Sequence, residues 1–100
     1  MQFAVYPMPR GGAGFMVDVQ SRLLEDLATR VVVPLVPQAF APRIPMKTLN
    51  PVLPFNGAAF MLMTQNLASI PVSQMGRSVG TLAAERDQIV RAIDALLSGI

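Results

Sequence analysis

The chain has no cysteine, no histidine and no tryptophan. Without cysteine there is no disulfide framework and no thiol nucleophile, and the composition suits a reducing compartment. Without histidine, the usual general base near neutral pH and the commonest metal ligand are both gone. Lysine is almost absent too: Lys47 stands alone beside Arg10, Arg22, Arg30, Arg43, Arg77, Arg86 and Arg91. These arginines form no run, so the net charge of +2 outlines no nucleic-acid face, and direct sequence-specific nucleic-acid binding is not expected. Long apolar runs are missing as well. The longest, Ala58 to Met63, is far short of the roughly 20 residues that span a bilayer. The opening Met-Gln-Phe-Ala-Val-Tyr has neither the basic start nor the long apolar core of a signal peptide. No membrane partner and a cytoplasmic location are therefore expected.

The polar residues that remain suggest no reaction centre. The acids are Asp18, Glu25, Asp26, Glu85, Asp87 and Asp94, and none has a metal-ligand spacing to a histidine. Glu25 and Asp26 are adjacent, so their side chains diverge. Ser21, Ser69, Ser73, Ser78 and Ser98 have no histidine to activate them. Gly11-Gly12-Ala13-Gly14 is followed by no lysine and opens a strand, so it is not a phosphate loop. Neither a cofactor nor a metal is expected, an enzyme is disfavoured, and a protein-binding module is what remains. The 100 residues make a single domain, 1–100. Its hydrophobic fraction of 52% against 14% charged is more apolar than a small monomer's surface requires, which points to a homodimer.

Along the chain, Gln2 to Tyr6 alternates as a half-buried strand, with Phe3 and Val5 on one face. Pro7 to Gly14 is expected to be a mobile loop without regular structure. Phe15, Val17 and Val19 then alternate with Met16, Asp18 and Gln20, completing a hairpin with a long tip. Ser21 to Thr29 reads equally as a helical turn or two, or as a strand end and loop. Val31 to Val36 is a β-branched run for a strand buried on both faces, and Pro34 within it predicts an edge or a bulge. The prolines of residues 37–54 predict an extended, irregular stretch. Asn56-Gly57 predicts a type I′ turn between Val52–Phe55 and Ala58–Met63. Met61 and Met63 read as core filler. Thr64 to Ile70 predicts a turn that buries Leu67 and Ile70, and Val72 to Met75 a short strand. Strands followed by one helix indicate an α+β, mainly β domain.

That helix is expected over Thr81 to Ile100. Ile89, Ile93, Leu96 and Ile100 recur on one face, widened by Val90 and Leu97. Thr81 or Ser78 is the expected N-cap and Gly99 the expected C-cap. Asp87 and Arg91 form an i,i+4 pair worth roughly 0.2–0.5 kcal/mol. Asp94 puts negative charge at the wrong end of the dipole. The helix reads as a lid on the sheet, ending where a binding tip would sit.

An ordered set of short matches resembles the CcdB family: Met1-Gln2-Phe3-x-Val5-Tyr6, Val17-Asp18-Val19-Gln20-Ser21, Pro34-Leu35, Met63-Thr64, Ala68-Ser69-x-Pro71-Val72-Ser73 and Gly99-Ile100. The resemblance runs from end to end. It implies an SH3-like barrel of the CcdB/MazF type with a C-terminal helix. It also implies a homodimeric toxin of a type II toxin–antitoxin module that binds the DNA gyrase A subunit and is neutralised by a CcdA-like antitoxin. Gly99 and Ile100 match the gyrase-binding tip. Gln2, Phe3, Tyr6, Ser21 and Leu23 match sensitive positions near it, with Leu24 beside them and Leu97, Ser98 and Asp94 in the last helical turns. For Phe3, packing in the hairpin is an equal reading. The antitoxin is expected over the loop of Met8, Arg10, Gly11, Gly12 and Gly14. This chain departs from the family at the tip, where Ser98-Gly99-Ile100 replaces Trp-Gly-Ile, and Asp94 replaces a neutral amide. Two alternatives follow: a homologue that keeps antitoxin binding with weak gyrase binding or none, and, less favoured, an endoribonuclease of the MazF type.

Overall fold

A computed structural model describes residues 1–41 and 46–99, together with all their side chains except that of Arg10. The strands are β1 (Ala4–Pro7), β2 (Phe15–Asp18), β3 (Thr29–Pro37), β4 (Val52–Phe55), β5 (Ala58–Leu62), β6 (Ala68–Pro71) and β7 (Gly80–Thr81), followed by one helix, α1 (Arg86–Ser98). They form one seven-stranded sheet in the order β4-β5-β3-β2-β1-β7, with β6 also paired to β3. Every pairing is antiparallel. The sheet curls into a half barrel, and α1 packs on the face that carries the main core.

Alternation along the strands sorts the side chains onto two faces. Val5, Val17, Val33, Leu35, Leu53, Phe55, Phe60 and Leu62 join Ile89 and Ala92 of α1 in the main core. Phe15, Phe55 and Phe60 meet edge to face there, with ring centroids 5.1, 5.4 and 6.2 Å apart. The opposite face carries a smaller cluster of Met16, Val32 and Met75. Met61 is buried and Met63 half-buried, as expected of core filler. Asn56 and Gly57 take φ of 51° and 77°, the pair of positive values that a type I′ turn demands, so this hairpin forms as its sequence predicts.

Several elements differ from the expectation. The first strand begins at Ala4: the Ala4 N–H donates to the Met1 carbonyl at 3.0 Å and closes a turn. Phe3 lies in that turn with φ of 68°, a rare conformation for a bulky residue. Its backbone is tied on both sides, to the Asp18 carbonyl and to the Leu82 N–H. The Pro7–Gly14 loop contains a short 3-10 turn at Pro9–Gly11. Ser21 to Thr29 resolves into a 3-10 turn at Arg22–Leu24 and an irregular run into β3. Residues 72–74 are a 3-10 turn, and the strand expected there lies earlier, as β6. The helix starts at Arg86 after a 3-10 turn, whose first N–H, that of Ala83, donates to Thr81 Oγ1 at 3.1 Å. Asp87 lies 3.5 Å from Arg86 in place of the expected Arg91. Leu97 is exposed and does not widen the buried stripe.

Pro34 is neither at a sheet edge nor in a bulge. It lies in the middle of β3, opposite Met16 of β2. Its carbonyl accepts from the Met63 N–H at 2.8 Å, so its backbone groups face away from β2. On that side β6 pairs as far as Val32 and β5 begins at Leu35. The missing N–H therefore falls in the gap between two strands, where no ladder bond is lost.

The connection ahead of β4 is held by buried polar side chains. Asn50 Nδ2 donates to the Leu62 carbonyl at 3.1 Å and to Gln65 Oε1 at 2.6 Å. Its Oδ1 accepts from the Met46 N–H at 3.3 Å. Thr64 Oγ1 donates to the Leu49 carbonyl at 2.6 Å.

Candidate functional site

Three surfaces carry the residues that the sequence singles out. The first is the turn after β2. Leu23 is 93% exposed, and Leu24 and Leu27 stand out beside it. Such apolar display requires a firm base, and a buried polar network supplies it. Asp18, 1% exposed, accepts from the Gln20 N–H at 3.0 Å and lies 3.6 Å from Arg30 Nε and 3.3 Å from the Met1 ammonium. Arg30 donates to the carbonyls of Leu27 at 2.9 Å and Thr29 at 3.2 Å, and to that of Glu25. Gln20 Nε2 donates to the Leu24 carbonyl at 2.8 Å, while Oε1 accepts from the Val31 N–H at 3.0 Å. Ser21 Oγ caps the turn by accepting from the Leu23 N–H at 3.2 Å. These bonds hold the turn from within and leave its leucines to solvent.

Asp18, Gln20 and Arg30 received no role from the sequence. Two of the contacts that join them, Asp18 with Arg30 and Gln20 Oε1 with the Val31 N–H, are brought close only by the pairing of β2 with β3. The signal that was available is Asp18 itself, a carboxylate in a strand of otherwise apolar inward residues.

The second surface is the end of α1. Ile89 and Ala92 are buried, and Val90 and Ile93 pack at their side, which anchors the helix. Beyond them Leu97 is 73% exposed. Asp94 is exposed; Ser98 Oγ donates to its carbonyl at 3.0 Å, so the hydroxyl is already satisfied within the helix. Gly99 closes the helix in the left-handed conformation, its N–H donating to the Ala95 carbonyl at 3.1 Å. Ile100 lies outside the described residues.

The third surface is the β1–β2 loop. Met8 is half-buried against Met16, Val32 and Met75. Gly11 and Gly12 are exposed around the 3-10 turn. Gly14 has a structural role: its φ is 86°, and a Cβ there would collide with the Leu35 carbonyl oxygen. The side chain of Arg10 lies outside the description.

Of the other expected residues, Phe3 is 5% exposed and belongs to the core. Gln2 Nε2 donates to the Val19 carbonyl at 3.4 Å. Both border a cavity of about 320 Å³ with Met1, Arg22, Ala83 and Arg86, at the start of α1. Ser98 is at the other end of the helix, about 18 Å along its axis at 1.5 Å per residue. Tyr6 is half-buried on the second face. Burial raises its hydroxyl pKa above the ordinary value of 10.0, and the Asp18 carboxylate adds to the shift.

The curled sheet with one helix is similar to the solved structure of the Mycobacterium tuberculosis toxin MazF-mt6, with a TM-score of 0.68, 16% identity, and 91% of this chain and 92% of that chain covered. At that identity the likeness speaks for the fold alone: a mainly β half barrel with a terminal helix. The family model described as "CcdB protein" matches residues 2–99, and the chain belongs to the CcdB family. That membership makes it a toxin of a toxin–antitoxin pair. No helix of the described residues is long and apolar enough to cross a membrane.

Proposed function

We propose that the protein is a cytoplasmic, homodimeric toxin that acts by binding and not by catalysis, with the DNA gyrase A subunit as its target and a CcdA-like antitoxin as its neutralising partner. The gyrase contact consists of the α1 ends of the two protomers, with Leu97, Ser98 and Gly99 foremost. The antitoxin engages the β1–β2 loop. The match of residues 2–99 to the CcdB family carries this reading. The anchored helix, which leaves Leu97 to solvent at its end, supports it.

A second reading rests on Ser98. The family pattern has a tryptophan there, and Ser98 offers a small side chain whose hydroxyl is occupied by the Asp94 carbonyl. Loss of a central aromatic from an interface costs on the order of 2–4 kcal/mol. That weakens binding roughly thirty- to a thousand-fold. On this reading the protein retains the antitoxin and binds gyrase poorly.

A single gyrase supercoiling and binding assay separates the two. Weak inhibition by the natural chain that Ser98→Trp strengthens by roughly tenfold or more supports gyrase as the target with a blunted tip. Deleting Gly99 and Ile100 then abolishes what binding exists. If neither the natural chain nor Ser98→Trp binds gyrase, gyrase is not the target. If the natural chain is already a tight inhibitor and Ser98→Trp changes nothing, the contact lies elsewhere on the dimer.

A further inference from the structure

A groove runs between the Met46–Pro51 connection and one face of α1. Its wider part, about 360 Å³, is lined by Met46, Leu49, Ala95 and Leu96. Its narrower part, about 140 Å³, is lined by Pro51, Gln88 and Arg91. Lys47 and Thr48 border both, so the two parts are continuous. The wide end is mainly apolar and the narrow end basic.

Both walls are preorganised. Asn50 and Thr64 pin the connection from beneath through the bonds to Met46, Leu49 and Leu62. Gln88, Arg91 and Ala95 recur at steps of three and four, which puts them on one face of a helix anchored by Ile89 and Ala92. Among the described residues neither Lys47 nor Arg91 makes an ion pair. The nearby Glu85 accepts from Gln88 Nε2 at 3.2 Å and does not line the groove. Two cations thus share a pocket with an amide and a hydroxyl, beside an apolar recess, with no carboxylate among the described lining residues.

We propose that this groove binds an extended peptide segment of a partner protein, in which an acidic side chain and a bulky apolar one lie two residues apart. Charge complementarity assigns the acid to Lys47 and Arg91. The distance sets the spacing. From Arg91 to Ala95 and Leu96 the helix advances about 6–7.5 Å. Residues two apart on an extended chain point to one side and lie about 6.6–6.8 Å apart. The full wall from Gln88 to Leu96 spans about 12 Å, or about four extended residues. A nucleic acid fits less well, since among the described residues no aromatic side chain lines the groove for a base to stack on. Gyrase has no part in this binding, and leaving it out of the test keeps the two readings separable.

The test is an NMR titration of the labelled full chain with the peptide acetyl-Ser-Glu-Ser-Phe-Ser-amide. Shift changes confined to residues 46–51 and to Gln88, Arg91, Ala95 and Leu96 are expected. Arg91→Glu should weaken binding by roughly tenfold or more, Leu96→Ser should weaken it independently, and replacing the peptide's glutamate by lysine should abolish it. No binding at millimolar peptide overturns the proposal, as do shifts elsewhere on the surface or an affinity indifferent to Arg91→Glu. An oligouridylate that produces the same shifts with equal sensitivity to Arg91→Glu would assign the groove to phosphodiesters and also overturn it.

Discussion

Two loops of this protein are built on opposite plans. The Met46–Pro51 connection is tied to the sheet by Asn50 and Thr64, both buried, whose side chains reach four separate groups. The β1–β2 loop has no such side chain among the described residues. Its contacts are one weak 3-10 bond, from the Gly12 N–H to the Pro9 carbonyl at 3.5 Å, Met8 against the second cluster, and the close approach of Gly14 to the Leu35 carbonyl where the loop enters β2. The turn at Arg22–Leu27 follows the first plan, with Asp18, Gln20 and Arg30 in place of Asn50 and Thr64. A buried polar side chain must find partners, and once found they fix the backbone that supplies them. A loop held this way can present apolar side chains to a partner with little further loss of entropy on binding.

The largest effect is expected at Asp18. Removing it leaves Arg30, whose side chain is 12% exposed, without its carboxylate. Asp18→Ala should cost about 3–5 kcal/mol, the range for breaking one side of a buried pair, read as a drop in the urea midpoint. A loss below about 1 kcal/mol, the range of a surface pair, would remove Asp18 as the base of the leucine turn. Next are the two glycines of the β1–β2 loop. Gly11 and Gly14 both have positive φ, but only at Gly14 would a Cβ strike backbone. Gly11→Ala should cost about 1–2 kcal/mol and Gly14→Ala clearly more. Equal costs would mean that the close approach of Gly14 to β3 is relieved elsewhere.

Asn50→Ala tests the pinned loop. It strips partners from the Met46 N–H and the Leu62 carbonyl and should cost about 1–3 kcal/mol. Amide exchange should speed up over residues 46–50 and stay unchanged over 9–12. Faster exchange in both loops would contradict the independence of the two plans. The smallest effect concerns Tyr6. Its pKa is raised in the fold, by burial first and Asp18 second. Below the unfolded value of about 10 both states hold the proton and stability is unaffected. Above it the unfolded chain ionises first, so stability falls as pH rises toward the folded value. Tyr6→Phe should flatten that slope in urea midpoints taken on either side of pH 10. An unchanged slope would assign it to another group.

The residues that reported their own structure did so through local rules. Asn56-Gly57 specifies a turn because few other pairs tolerate two positive φ values in succession. The alternation of Phe15 to Gln20 specifies a face because successive strand side chains point oppositely. Ile89 and Ile93 mark the buried side of the helix, and the ordered matches along the chain identified the family. The exposed Leu23, Leu24 and Leu97 were legible as residues of interest, but not the distance between them along the molecule. Phe3 shows the limit: its place in the core followed from hydrophobicity, whereas its left-handed backbone did not, because that depends on Asp18 and Leu82 far along the chain.

By itself the sequence determined the mainly β class, the hairpin turn, the terminal helix and the CcdB family, since period, turn chemistry and ordered motifs are properties of neighbouring residues. Only the tertiary structure decided that Pro34 would fall between β5 and β6, that Asp18 and Arg30 would meet under a leucine turn, and that Lys47 and Arg91 would line one groove. Each of these joins residues well apart in the chain. Such pairs are set by strand register and by how the helix lies on the sheet, and no local rule encodes them.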